Sequence, residues 1–408
     1  MRRQSAFVFS GFCAAILFAP VFFGSVQPWA YQSLSALLFF LFAVKPEAVY
    51  ELLSLPAFFC KTVSLVLLWI ILQSLFWAAD RNAAQAQALQ WLAFAAAFLM
   101  AQRLDLQQIR QLLKVLAAAA VFQAVYGVWQ TLQTPERVLW QVKEFHLGYL
   151  TGTYVNRNHC AGLFELALGV TGGLFCEQLL QQKKMKAGWY GLIFILLSAA
   201  LIRTGSRFGT AAFAMTAVLA VLWGTAASRR LRWPFLILGL VFAAILLTQG
   251  WILRERFHWE DGYLMPISGR LWAWQDAAKM LKDYIFFGTG LGGFERVFPQ
   301  YQSARLLMGW AHAHQDYLEL ATVLGLPFFI LWLAGWSYFG FRVRTAFTAG
   351  SGAGCLAGGI AAGLISLVIH GLMDFNFAIP ANAFLWIFLA GCLERLRRIA
   401  EVSEAESA

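Results

Sequence analysis

The sequence predicts an all-α, polytopic membrane protein with about twelve transmembrane helices. Of its 408 residues, 60% are hydrophobic and 13% are charged, whereas a soluble domain carries about 25% charged residues. Continuous apolar runs of roughly 20 residues recur from end to end, each long enough for one bilayer crossing. A backbone in hydrocarbon must satisfy its own hydrogen bonds, so these runs are expected to be helices. A soluble enzyme, a coiled coil and a secreted disulfide scaffold are thereby excluded. The cysteines Cys13, Cys60, Cys160, Cys176, Cys355 and Cys392 lie almost entirely within apolar runs and form no C-x-x-C pair, which argues against a disulfide framework or a zinc site.

In chain order the spans fall at 6–23, 29–44, 57–76, 84–101, 112–132, 158–176, 187–202, 207–223, 233–249, 315–340, 352–370 and 378–393. Met1-Arg2-Arg3 followed by an apolar stretch looks like a signal peptide. Pro20, Phe22 and Phe23 stand where a small-residue cleavage site belongs, so the stretch reads as the first span. The net charge of +10 reflects basic residues at the ends of spans and points to a lipid bilayer, with no nucleic acid as partner. With a cytoplasmic N-terminus, seventeen of the 31 basic residues fall in inner segments; the short outer loops hold six, namely Arg81, Arg137, Lys143, Arg157, Arg203 and Arg207. Both termini are therefore expected in the cytoplasm. The chain reads as a single integral membrane domain, 1–408.

The remaining polar residues collect on the other face, in the loop at 133–157 and in a segment at 250–314 between the ninth and tenth spans. Chemistry is expected there. Within the longer segment Leu271, Trp272, Ala277, Met280 and Leu281 recur at helical spacing, predicting an amphipathic helix along the membrane surface. Gly288, Gly290, Gly292 and Gly293 then end it in a flexible turn. The glycines look like a dinucleotide fingerprint, but no strand precedes them.

Four clusters on the outer face could carry chemistry. Asn156-Arg157-Asn158-His159 opens the sixth span, either as a helix cap with an interfacial arginine or as a polar mouth. Glu165 lies one to two turns further in, where a carboxylate is costly unless it meets a cavity or a partner. Arg203-Thr204-Gly205-Ser206-Arg207-Phe208-Gly209 places two arginines in a short outer loop, where orientation rules disfavour them. An anion would repay this, because forked guanidinium donors suit phosphate oxygens; a structural carboxylate is the alternative. Arg270 belongs to a third cluster with Asp276, Lys279, Lys282 and Asp283. The fourth, from Trp310 to Glu319, contains His312, His314 and Asp316. Histidine can exchange a proton with a reacting hydroxyl, and the i, i+2 spacing of the pair disfavours a shared metal. His370, Asp374 and Asn376, with Pro380 and Asn382 beyond, form a weaker fifth group.

These clusters, in this order, resemble the O-antigen ligase and polymerase superfamily of bacterial envelope glycosyltransferases. The resemblance rests on Asn156-Arg157-Asn158-His159-Cys160-Ala161-Gly162, Ser206-Arg207-Phe208-Gly209, Arg270 through Trp274 with Phe287-Gly288-Thr289-Gly290-Leu291-Gly292, and Ala313-His314-Gln315-Asp316-Tyr317-Leu318. It covers a core at about 150–340, and the stretch from His370 to Asn382 looks like members associated with exopolysaccharide clusters. The resemblance implies a class C glycosyltransferase-like helical fold in the bacterial inner membrane, acting at the periplasmic face. The donor would be a glycan on undecaprenyl diphosphate and the acceptor a hydroxyl of lipid A core or of another glycan, with no nucleotide, cofactor or metal. It further implies that Arg207 and Arg270 bind the diphosphate and that His314 is the essential histidine. Gln315 stands where Asn is frequent and Phe208 where Gly is frequent, departures that bear on the acceptor more than on the donor.

The chemistry of such a transfer fits these residues. A departing lipid diphosphate needs fixed cations, which Arg207 and Arg270, with Arg203 nearby, can supply. The attacking hydroxyl must lose a proton, to His314 or to His312 beside it. Asn156, Asn158, Glu165, Asp316, His370 and Asp374 are expected as further substrate contacts. Direct displacement would invert the anomeric carbon. A polymerase of the same superfamily is the nearest alternative. A polyprenyl-linked glycan transporter is the alternative of another class, although transporters concentrate polar residues at the midplane rather than at one face.

Overall fold

In a computed structural model, which describes residues 2–227, 229–249, 267–306, 309–344 and 351–407, a helix begins or continues in each of the twelve predicted stretches. Residues 250–266 and 307–308 of the predicted outer segment lie outside the described residues. The helices are α1 (Arg2–Val21), α2 (Pro28–Val44), α3 (Ala57–Phe76), α4 (Arg81–Ala101), α5 (Leu106–Gln133), α6 (Arg157–Leu180), α7 (Lys184–Arg203), α8 (Arg207–Ala227), α9 (Arg229–Gln249), α10 (Ile267–Asp283), α11 (Gly293–Val297), α12 (Asp316–Leu324), α13 (Leu326–Val343), α14 (Gly352–His370) and α15 (Pro380–Ser407). Eight are long and apolar enough to cross a membrane, and α2 and parts of α8 and α9 are shorter apolar helices. The protein is an all-α polytopic membrane protein. The strand structure among the described residues is one short antiparallel pair, Arg137–Val138 with Gln141–Val142.

Local chemistry sets the helix starts. Asp80 caps α4 through Ala83 N, Asp105 forms a capping box with Gln108 on α5, and Ser351 caps α14 through Gly354 N. In the centre stands α6, whose most apolar 18-residue window is 100% buried. Its polar residues therefore face protein and not lipid. Lipid tails provide no hydrophobic drive for one helix to join another, so close approach of small residues does that work. A Cβ on Gly169 would meet the Gly359 carbonyl at 2.5 Å, and one on Gly173 would meet the Cys355 carbonyl at 2.8 Å. This backbone contact between α6 and α14 brings Glu165, one turn beyond Gly169, against Ser366 and His370.

The tenth predicted span, 315–340, is not one helix. It breaks at Gly325 (φ +81°), between α12 and α13. A break within a bundle leaves backbone groups needing partners, and the glycine segment supplies them. Thr289 N donates to Thr322 O (3.0 Å), Gly290 N to Val323 O (3.0 Å), and Leu326 N to Ile285 O (2.7 Å). Gly290, at φ +88°, approaches Ala78 so closely that a Cβ would lie 2.6 Å from its methyl. The run expected to be a flexible turn is thus a packed connection.

The predicted amphipathic helix forms as α10, but its apolar stripe is turned to the protein. Ala273, Ala277 and Met280 are fully buried, in a cluster with Phe294, Phe298, Trp310 and Leu320, while Leu271 stays 46% exposed. At one end of the bundle Glu51 pairs with Arg103 (3.3 Å) and Arg398 (2.7 Å), Arg110 with Glu177 (2.6 Å), and Gln108 with Ser5. The start of α1 and the last turns of α15 share this end. His159, His312, His314 and His370, with Arg207 and Arg270, lie at the other.

Candidate active site

The loop from α14 to α15 carries the residue on which the site converges, Asp374, which is fully buried. Its Oδ2 accepts from Asn158 Nδ2 at 2.5 Å and lies 3.4 Å from Arg270. Its Oδ1 accepts from Phe375 N at 2.9 Å, with His159 Nε2 at 3.8 Å and His314 Nδ1 at 3.9 Å. Arg270 also donates to the Met373 carbonyl. Burial alone would raise the Asp374 carboxyl; the His159 contact, Arg270 and His314 outweigh it and hold the group well below the usual carboxylate range. Asp374 is therefore an anion that gathers α6, α10 and the 312–316 loop.

Three imidazoles surround the next residue, Phe375. His312 stacks on its ring (centroids 4.1 Å, 13°), and His159 and His314 meet it edge-on, both at 4.6 Å. Despite this proximity, His312 and His314 differ electrostatically. Burial pushes His314 down to about 3; Asp374 pulls the other way and Arg270 adds to the fall. Its Nδ1 is buried without a hydrogen-bond partner among the described residues. Its φ of +51° lies in the left-handed region that non-glycine residues seldom adopt. The conformation is held two residues on, where Asp316 N donates to Gly371 O (2.9 Å) and Asp374 O (3.1 Å). For His312 burial also lowers the pKa, but the Glu319 carboxylate more than offsets this and the net shift is upward. His312 Nδ1 lies 2.7 Å from Glu319 Oε1, and Ala313 N donates to Glu319 Oε2 at 2.8 Å.

Arg207, the first residue of α8, lies close enough to Arg270 for the two cations to repel. Phe208 presents its ring 5.5 Å from the Arg270 guanidinium carbon, an attractive cation–π position. Arg203 is exposed at the end of α7 and forms no ion pair among the described residues. Asn156 acts as the cap of α6, accepting from Asn158 N at 2.9 Å. Glu165 has both oxygens engaged internally, with His370 Nδ1 at 2.7 Å and the Ser366 hydroxyl at 2.7 Å. The other ring nitrogen of His370 is buried without a hydrogen-bond partner among the described residues, and a Cβ on Gly209 would lie 3.0 Å from its Cε1. Asp316 accepts from Phe377 N at 3.1 Å, fastening the same loop. Gln315, where the resemblance leads one to look for Asn, caps α12 by accepting from Leu318 N. Asn382 ties Tyr154, His159 and Asn376 together.

The fold thus joins Asn158, Arg207, Arg270, His312, His314, His370 and Asp374, but not Arg203. It gives contacts to His159 and Glu319, which the sequence placed in clusters without a role of their own, and adds Phe375, Ser366 and the α4 amides Gln87 and Gln90, which were not singled out. A cavity of about 290 Å³ opens beside His312, with Gln87, Gln90, Glu295 and Glu319 in its wall. An apolar groove of about 200 Å³ between α3, α4 and α13 shares Trp91, Leu291 and Leu320 with it. Among the described residues no three His, Cys, Asp or Glu side chains converge as metal ligands.

Fold and cluster together define a multi-pass membrane protein with a buried, arginine- and histidine-bearing site at one end of its helices. A family model described as O-Antigen ligase matches residues 192–333, about a third of the chain, and supports the resemblance to the O-antigen ligase and polymerase superfamily. No curated protein matches the chain. The matched stretch contains Arg207, Arg270, His312, His314 and Glu319. Asn158, Glu165, His370 and Asp374 lie outside it, and the fold brings them to it.

Proposed function

We propose that the protein is a glycosyltransferase that moves a glycan from undecaprenyl diphosphate to the hydroxyl of an acceptor sugar, at the periplasmic face of the bacterial inner membrane. The observation that carries this reading is the gathering of Arg270, packed on the Phe208 ring next to Arg207, with His314 and His312 around Asp374 and Phe375. Two neighbouring guanidinium groups offer more forked donors than Asp374 and the Met373 carbonyl take up, and a diphosphate has the oxygens to accept them. The acceptor oxygen attacks the anomeric carbon, the carbon–oxygen bond to the diphosphate breaks, and the electron pair leaves with the lipid diphosphate. The proton of the hydroxyl passes to His314 or His312. Attack opposite the departing diphosphate inverts the anomeric centre. The charge that develops is met by arginine, so the reading requires no metal.

The distribution of basic residues supports the orientation, since the chain ends lie at the bundle end opposite the site and carry the arginine excess. Removing the protein from its host tests the reading. A ligase acting on lipid A core leaves the full-length glycan on its lipid carrier and none on the core, whereas a polymerase leaves single repeats. If neither lipid-linked intermediate accumulates, the reading fails.

A further inference from the structure

We infer that the cavity bounded by Gln87, Gln90, Glu295, His312 and Glu319 binds the acceptor sugar, and that His312, oriented by Glu319, takes the proton of its attacking hydroxyl. The inference rests on the transferase reading and gives it an acceptor side. The cavity lies at the same end of the bundle as the arginines, and among the described residues its lining contains amides, carboxylates and aromatic rings but no Lys or Arg. Such a wall repels a diphosphate. It suits a hydroxyl-rich sugar, because carboxylates and amide oxygens accept from hydroxyls, amide N–H groups donate to them, and Trp91 and Phe294 offer apolar surface. Donor and acceptor are thereby sorted by charge, with cations around Asp374 and acceptor groups around Glu319.

His312 stands at the junction, since the Phe375 ring on which it stacks also touches His314, and His314 lies beside Asp374 and Arg270. With Nδ1 committed to Glu319, the tautomer this network assigns leaves Nε2 to accept a proton. Glu319 in turn accepts from Ala313 N, so the imidazole is oriented by a carboxylate held at both oxygens. Glu295 and Asp374 also act on His312 and favour its protonated form, whereas His159 and His314, when charged, oppose it. His314 has no such support; neutral and pressed between Trp310 and Phe375, it faces the donor. In the step itself the acceptor O–H bond breaks, its proton goes to His312 Nε2, and its oxygen bonds the anomeric carbon. The lipid diphosphate departs with the electron pair.

The test uses the full-length protein in nanodiscs, with lipid-linked oligosaccharide from its host as donor. Deacylated core oligosaccharide is the acceptor in one arm and the lipid-linked repeat itself in the other, while farnesyl diphosphate binding reports the donor site and folding. Gln87→Leu and Glu295→Gln should raise the acceptor KM severalfold and leave the donor KM unchanged. His312→Ala should lower kcat on the order of a hundredfold or more, and Glu319→Gln should move the acid limb of the pH profile to lower pH. All four should still bind farnesyl diphosphate. Acceptor KM, kcat and pH profile unchanged in these variants, with wild-type transfer intact, would overturn the inference and leave the transferase reading standing. A wild-type protein that neither transfers sugar in either arm nor binds farnesyl diphosphate would overturn that reading, and the inference with it.

Discussion

Arg270 shows how one side chain can be both anchored and available. Its guanidinium binds the Met373 carbonyl and approaches Asp374, and a fork of five donors leaves others for a ligand. A lysine keeps the charge but cannot serve both. Arg270→Lys and Arg207→Lys should each reduce turnover about ten- to a hundredfold, the worth of one or two charge-assisted hydrogen bonds, with membrane abundance near wild type. Kinetics on equal amounts of purified protein check this. Glu165 should behave differently, because both of its oxygens are occupied inside the protein. Glu165→Ala strands a buried His370 and should destabilise by about 3–5 kcal/mol, read as lost folded protein in membranes. Much of this was legible in sequence, since arginines in a short outer loop and a carboxylate within a span both ask for a partner. The identity of each partner was not legible, because Asp374 reaches Asn158 and Arg270 across more than a hundred residues of chain. Glu319, which closes the fourth cluster, had no role in the sequence reading for a different reason. A Glu in the first turn of a helix is unremarkable until it is seen to hold a histidine.

Hydropathy located the helices because each span must be apolar along its length, but it could not resolve a helix broken inside a bundle. Gly325 and Pro327 marked the break between α12 and α13 in the sequence; what they could not reveal was that Thr289 and Gly290 satisfy the freed carbonyls. The paired spacings Gly169-x-x-x-Gly173 and Gly359-x-x-x-Gly363 were likewise visible and mark where α6 and α14 touch. That contact sets the height at which Glu165 meets His370. Gly359→Val therefore inserts a branched side chain against the Gly169 carbonyl and should cost at least about 1–3 kcal/mol, whereas the same change at Gly340, with nothing within 4 Å of its Cβ, should cost little. Thermal retention of monodisperse protein in detergent distinguishes the two.

Across the whole molecule the account rests on polarity between two ends. One end gathers Glu51, Arg103, Arg110, Glu177 and Arg398 in ion pairs with both chain ends nearby; the other holds the arginine and histidine site. Reporter fusions at Lys184 and after Arg398 should report the cytoplasm, and a fusion in the 133–157 loop the periplasm. A cytoplasmic result in that loop would put the site on the wrong face for its donor. The central claim is that glycan leaves a lipid diphosphate at this site and forms a glycosidic bond. It is tested most directly by giving the purified protein in nanodiscs a glycan-labelled undecaprenyl-diphosphate donor, with a chelator present, and counting both products. The account predicts one undecaprenyl diphosphate released for each glycosidic bond formed, with neither product when Arg207 and Arg270 are both replaced by alanine. Donor that remains intact, or that crosses a sealed bilayer unchanged, would contradict it.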